Sequence, residues 1–138
     1  MSIVAGDLKF YLSGGASNTD VDASLGGVIS TTEVVDDTLN NLWDDVTGDE
    51  HTTGDTEYRA IFFKNTSAEV AYNVKIWIDS NTTATDDTWN IAVEGSQVSP
   101  IQTVTNESTA PSGLSFSTAN GQSNALSIGN MAAGNVIG

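Results

Sequence analysis

Carboxylates are the one reactive group this chain carries in number. Eighteen Asp and Glu stand against four Lys and Arg and a single histidine, with no cysteine. Ser–His and Cys–His catalysis, and zinc held by several His or Cys, therefore lack their parts. His51, within "GDEHTTGDTE", reads as a solvated loop histidine. The acid pairs Asp36-Asp37, Asp44-Asp45 and Asp86-Asp87 adjoin in sequence, and adjacent side chains point apart. A glycosidase needs two carboxyls about 5 to 9.5 Å apart across a cleft. Gly14-Gly15 and Gly26-Gly27 precede no Lys-Ser/Thr and form no phosphate loop. The reading is not an enzyme.

Calcium is the stronger chemical alternative, because hard cations take oxygen ligands on acidic loops. "DDVTGDEHTTGDTE" offers Asp44, Asp45, Asp49 and Asp55, with Glu50 and Glu57, around two glycines, and "NTDVD" offers Asn18, Asp20 and Asp22. Neither stretch has the EF-hand spacing of a Gly at position six and a Glu at twelve. The expectation is no cofactor, with these acids as weak calcium candidates. The three N-x-S/T sequons, at Asn65, Asn81 and Asn106, are what chance gives in a chain so rich in Asn, Ser and Thr.

A formal net charge of −14 excludes another class. Nucleic acid is bound by Lys and Arg displacing counterions from phosphates, and this chain repels it. No apolar run approaches the roughly 20 residues of a membrane span. The start, "MSIVAGD", has neither a basic nor an apolar signal region. The chain reads as made in the cytoplasm and functioning away from membranes. An acidic surface favours solubility, or docking onto a basic partner.

The elements that must position these residues read as one all-β domain. "DLKFYL" alternates Leu8, Phe10 and Leu12 with Lys9 and Tyr11, a strand signature. "SGGASNTDVDASLGG" reads as loop or extended arm, and "VISTTEVV" as a further strand. Leu39, Leu42, Trp43 and Val46 recur at helical spacing behind Asp36 or Asp37, predicting one or two turns of helix. "YRAIFFKNTSAEVAYNVKIWID" (58–79) reads as a hairpin. In it Val70, Tyr72, Val74, Ile76 and Ile78 share the core face, with Phe62 in the preceding strand. Trp77 is placed on the polar side. "DSNTTATDDT" is a polar loop. "WNIAVEG" alternates Trp89, Ile91 and Val93, and "QVSPIQTV" is an edge strand carrying Pro100. "APSGLSFST" and "NALSIGNM" add short runs. Strands between turns every ten or so residues predict a β-sandwich.

"LKFYLSGGASNTDVDASLGGVIS", "LWDDVTGDEHTTGDTEYRAIFFKNTS" and "AYNVKIWIDSNT" together resemble tailed-bacteriophage virion structural proteins built on an immunoglobulin-like sandwich. The resemblance covers most of the chain and is most specific over Gly54-Asp55-Thr56-Glu57-Tyr58-Arg59, running into Lys64-Asn65-Thr66. It implies an irregular glycine-rich N-terminal arm over residues 1–57, with at most one short helix. It also implies an Ig-like sandwich over residues 58–138, lacking its last strand. The implied role is a capsid decoration or cement protein on the shell of the major capsid protein, acting as a homo-oligomer such as a trimer. Tail or neck protein, extracellular filament or adhesion subunit, and carbohydrate-binding module are the alternatives. Leu8, Phe10, Tyr11, Leu12, Arg59, Lys64, Lys75 and Trp77 are the candidate partner contacts. At the chain's end, Val136-Ile137 opens what should be another strand after the Ala132-Ala133-Gly134 turn.

Overall fold

The computed structural model describes residues 2–80 and 87–138. Asn81 and Asp86, with most of the polar loop read at 79–88, lie outside the described residues. Regular structure is mostly strand. In chain order there are β1 (Leu8–Leu12), β2 (Gly26–Gly27), α1 (Gly48–Thr53), β3 (Ile61–Asn65), β4 (Ala71–Ile76), β5 (Ile101–Thr103), β6 (Leu126–Met131) and β7 (Val136–Ile137), with two single 3-10 turns. The strands form three small antiparallel sheets, β1-β3-β7, β2-β5 and β4-β6. This is an all-β fold.

The hairpin read over 58–79 does not form. Its two strands exist, but β3 pairs with β1 and β7 whereas β4 pairs with β6. The crossing is organised by Asn65, which is fully buried. Its amide Nδ2 shares two hydrogens among the carbonyls of Glu69 (2.8 Å), Met131 (3.0 Å) and Ala132 (3.2 Å). Its Oδ1 accepts from the Ser67 amide (3.0 Å) and hydroxyl (2.7 Å). Buried polar groups are costly unless paired, and here every lone pair and hydrogen on the amide is used. One side chain thus ties the 65–69 corner to the end of β6.

The alternation in β4 is broken at Asn73. Ala71 opposes Met131 and Val74 opposes Gly129, so three steps on β4 match two on β6. Asn73 takes φ +54°, a conformation that Asn tolerates better than most residues, and its amide donates to Asn130 Oδ1 at 3.0 Å. The extra residue reverses the phase of the strand. Ala71 and Val74 are buried and Ile76 and Ile78 are half-buried. Val70 and Tyr72, expected in the core, are exposed, Tyr72 at 71%.

Ala71, Val74, Met131 and Ile137 make a small core cluster, flanked by Ile3, Leu8, Phe63, Val93 and Ile128. Phe62 is fully buried, as expected. The run at 89–93 is reduced to one bridge, Ile91 with Ser117, closed by two 2.8 Å hydrogen bonds. Ile91 and Val93 are half-buried, but Trp89 is exposed and is not a core residue.

Residues 13–32, read as loop or arm, fold back on the sheet. Ser13 Oγ donates to the Ala60 carbonyl (2.6 Å) and accepts from the Gly26 amide (2.9 Å). Asn18 Nδ2 donates to the Ser13 carbonyl, and the Ser30 and Thr32 hydroxyls donate to the Asn18 carbonyl. Residues 30–34 then run antiparallel beside β1, with hydrogen bonds from Ser30 to Leu12, Leu12 to Thr32 and Val34 to Phe10. The stretch read as an arm is woven into the fold.

The helix also lies elsewhere than expected. Leu39 and Val46 are exposed in irregular chain. Helix α1 starts at Gly48, behind Thr47, whose hydroxyl accepts from the Glu50 amide while the Glu50 carboxylate accepts from the Thr47 amide. This capping box satisfies two N-terminal backbone donors at once.

Candidate functional site

The most connected charged group is Arg59, just before β3. Its side chain is 1% exposed. Nη2 lies 2.9 Å from Asp22 Oδ1 and 3.8 Å from Glu57 Oε2, and Nη1 lies 2.9 Å from Glu107 Oε2. The guanidinium sits 5.1 Å from the Trp43 ring centre, and Trp43 meets Trp89 edge-on at 5.5 Å. Arg59 was a candidate for partner contact, and its burial removes it from that role. It ties the 20–22 loop to the 57–59 and 107 segments as a structural lock. Burial pushes the Glu57 carboxyl above its usual range. The charges of Glu107, Asp44 and Asp55 push the same way, and Arg59 partly offsets them.

The other contact candidates divide. Leu12 is interior at 2% exposed, whereas Leu8, packed on the core cluster, and Phe10, tilted against Phe63 at 4.9 Å, are half-buried. Tyr11 and Lys64 are half-buried and paired, the ammonium 5.7 Å from the ring centre. Lys75 and Trp77 are exposed, as a surface role requires.

Of the acids offered as calcium candidates, Glu50, Asp55 and Glu57 form a cluster, with their nearest oxygens within 4.8 Å of one another. The Thr47 amide and hydroxyl hold the Glu50 carboxyl below its usual range, so that ligand is already engaged at the helix cap. Asp45 accepts from Asn40, Asp49 lies in the exposed first turn of α1, and Asp44 is exposed. His51 is exposed on α1.

Two open features stand out among the described residues. An apolar cavity of about 220 Å³, partly open to solvent beside Trp89 and Phe116, is lined in part by β1, β3, β4, β5, β6 and β7. A wider cleft of about 550 Å³ runs beside β4, lined by Ser2, Ile3, Val70, Tyr72 and Lys75 among others. The reversal at Asn73 places Tyr72 on this rim. Sequence reasoning missed Asn65, Asn73, Trp43 and Glu107 as organisers. Thr47-Gly48-Asp49-Glu50 carried a legible capping signal, whereas the other four carried none.

No helix among the described residues is long and apolar enough to cross a membrane. No known protein family, curated protein or solved structure matches the chain.

Proposed function

We propose that the chain is a non-enzymatic structural protein of a tailed-bacteriophage virion. In this reading it is an Ig-like sandwich that decorates the outer surface of the major capsid protein shell as a homo-oligomer, with a trimer the expected form. The observation that carries the reading is the outward face of β4 and its cleft. Val70, Tyr72 and Lys75 are exposed along the cleft and Trp77 is exposed just past the end of the strand, in a molecule whose charge is otherwise overwhelmingly negative. Exposed aromatic residues of this kind are the usual anchors of protein interfaces. The family resemblance of the sequence supplies the identity of the partner. Nucleic acid, membrane and cofactor have no part in this role.

Co-sedimentation with undecorated shells over a range of salt tests the proposal. The wild-type chain is expected to pellet with shells. The double variant Tyr72→Ala/Trp77→Ala is expected to bind at least about tenfold more weakly, the loss of one modest anchor. Capture by tails or by a polysaccharide, with no binding to shells, would replace the decoration reading with one of its rivals.

A further inference from the structure

The apolar cavity has a chemical character of its own, independent of the capsid reading. Six aromatic side chains line it, Phe10, Trp43, Tyr58, Phe63, Trp89 and Phe116. They are six of the ten aromatic residues in the chain. Of the polar side chains in its lining, Gln102 and Arg59 are already engaged, and Asn90 and the Tyr58 hydroxyl stand beside them. Gln102 Nε2 donates to Glu94 (3.1 Å) and to the Ser112 carbonyl (3.0 Å), while its Oε1 accepts from the Ser112 amide (2.8 Å). Arg59 is held by its carboxylates. Two N–H groups of lining residues, Trp43 Nε1 and Arg59 Nε, lack acceptors but are fully buried and present no surface to the cavity.

A cavity holds ordered water only where polar groups offer it two to four partners. Apolar side chains make up most of this lining, so it favours an apolar occupant. We propose that it is a binding site for a neutral aromatic molecule of one to two rings, of the size of indole. An apolar cavity of about 150 Å³ accepts benzene, and about 220 Å³ admits somewhat more. Rings in the wall give such a ligand the tilted and edge-on contacts that aromatic pairs prefer. Anionic ligands are excluded by Asp22, Glu57 and Glu107 beside Arg59 and by the net charge of −14.

The test is calorimetric titration of the full chain with indole, with pyrene and benzoate as controls, followed by thermal unfolding. Indole is expected to bind saturably at one site and to raise Tm by about 4 °C at ten times its Kd. Ile78→Trp and Val93→Phe fill the cavity from two walls. Either variant, once shown to be folded, should lose at least tenfold in affinity. Should neither fold, intermolecular NOEs on the wild-type chain decide, with contacts from indole to Phe63 and Ile137 expected. The proposal is overturned by absence of saturable binding, by undiminished affinity in a folded filled variant, by benzoate binding as tightly as indole, or by NOEs to Tyr72 and Trp77 alone.

Discussion

In the loop from Ser13 to Thr32, three serines are buried and short polar side chains meet backbone partners. Beneath β4, isoleucines and aromatic rings face a cavity that none of them fills. The loop fixes each group by direction, since a hydrogen bond is strong only within narrow limits of distance and angle. The interior fixes its groups by area, which carries no direction and tolerates a vacancy. The polar region should therefore be intolerant of single changes, and the apolar region permissive.

The largest expected effect lies where backbone meets backbone. Gly26 has φ +107°, and a Cβ there would stand 1.9 Å from the Gln102 carbonyl oxygen. Gly26→Ala should cost at least about 3 kcal/mol in chemical denaturation. Gly27→Ala, whose nearest neighbour is the Thr103 hydroxyl at 3.3 Å, should cost only about 1 kcal/mol. Equal costs would break the contrast.

Next comes the corner between the sheets. Asn65→Ala removes all the hydrogen bonds of its side chain and strands the partner carbonyls, for about 2–3 kcal/mol. Asn65→Asp should be worse, because it sets a carboxylate against those same carbonyls. An aspartate variant as stable as wild type would show that the corner is held by something else.

Arg59→Met tests the lock at the boundary between the two regions. Its partners Asp22 and Glu107 are 57% and 41% exposed, so solvent screening discounts the ion pairs, and about 1–2 kcal/mol is expected. Added salt should recover part of the loss by screening the unpaired carboxylates.

The smallest effect is a pH dependence. The folded-state pKa of Glu57 is raised, so the folded chain holds this proton more tightly than the unfolded chain does. Stability contributed by the protonated carboxyl is therefore lost as pH climbs through the carboxylate range. Glu57→Gln removes that loss. The Tm difference between variant and wild type should be more positive at neutral pH than at about pH 3. A flat difference across the range would contradict it.

Much of the strand content was legible in the sequence, because alternation in "LKFYL" and the short apolar runs in "IFFKN" and "LSIGNM" mark elements whatever they pair with. The pairing was not legible. Asn65 decides it through carbonyls at 131 and 132, more than sixty residues away, and nothing local distinguishes such an asparagine from one in a surface turn. The core face of β4 misread for a related reason. Strict alternation from Val70 to Ile78 assumes a regular strand, and one left-handed residue at Asn73 reverses its phase. At the helix, Leu39 to Val46 had the right period, but only Thr47 and Glu50 had the geometry to start a helix. The cavity had no signal at all, since composition counts side chains and not the space between them.

The central functional claim is that the reversed face of β4 is the working surface. Hydrogen exchange of the chain free and bound to undecorated shells measures this directly. The account predicts that amides of residues 70–77 gain protection on the shell while those of α1 and the 13–32 loop stay unchanged. Protection confined to α1 and its acidic neighbours, with 70–77 unaltered, would contradict it.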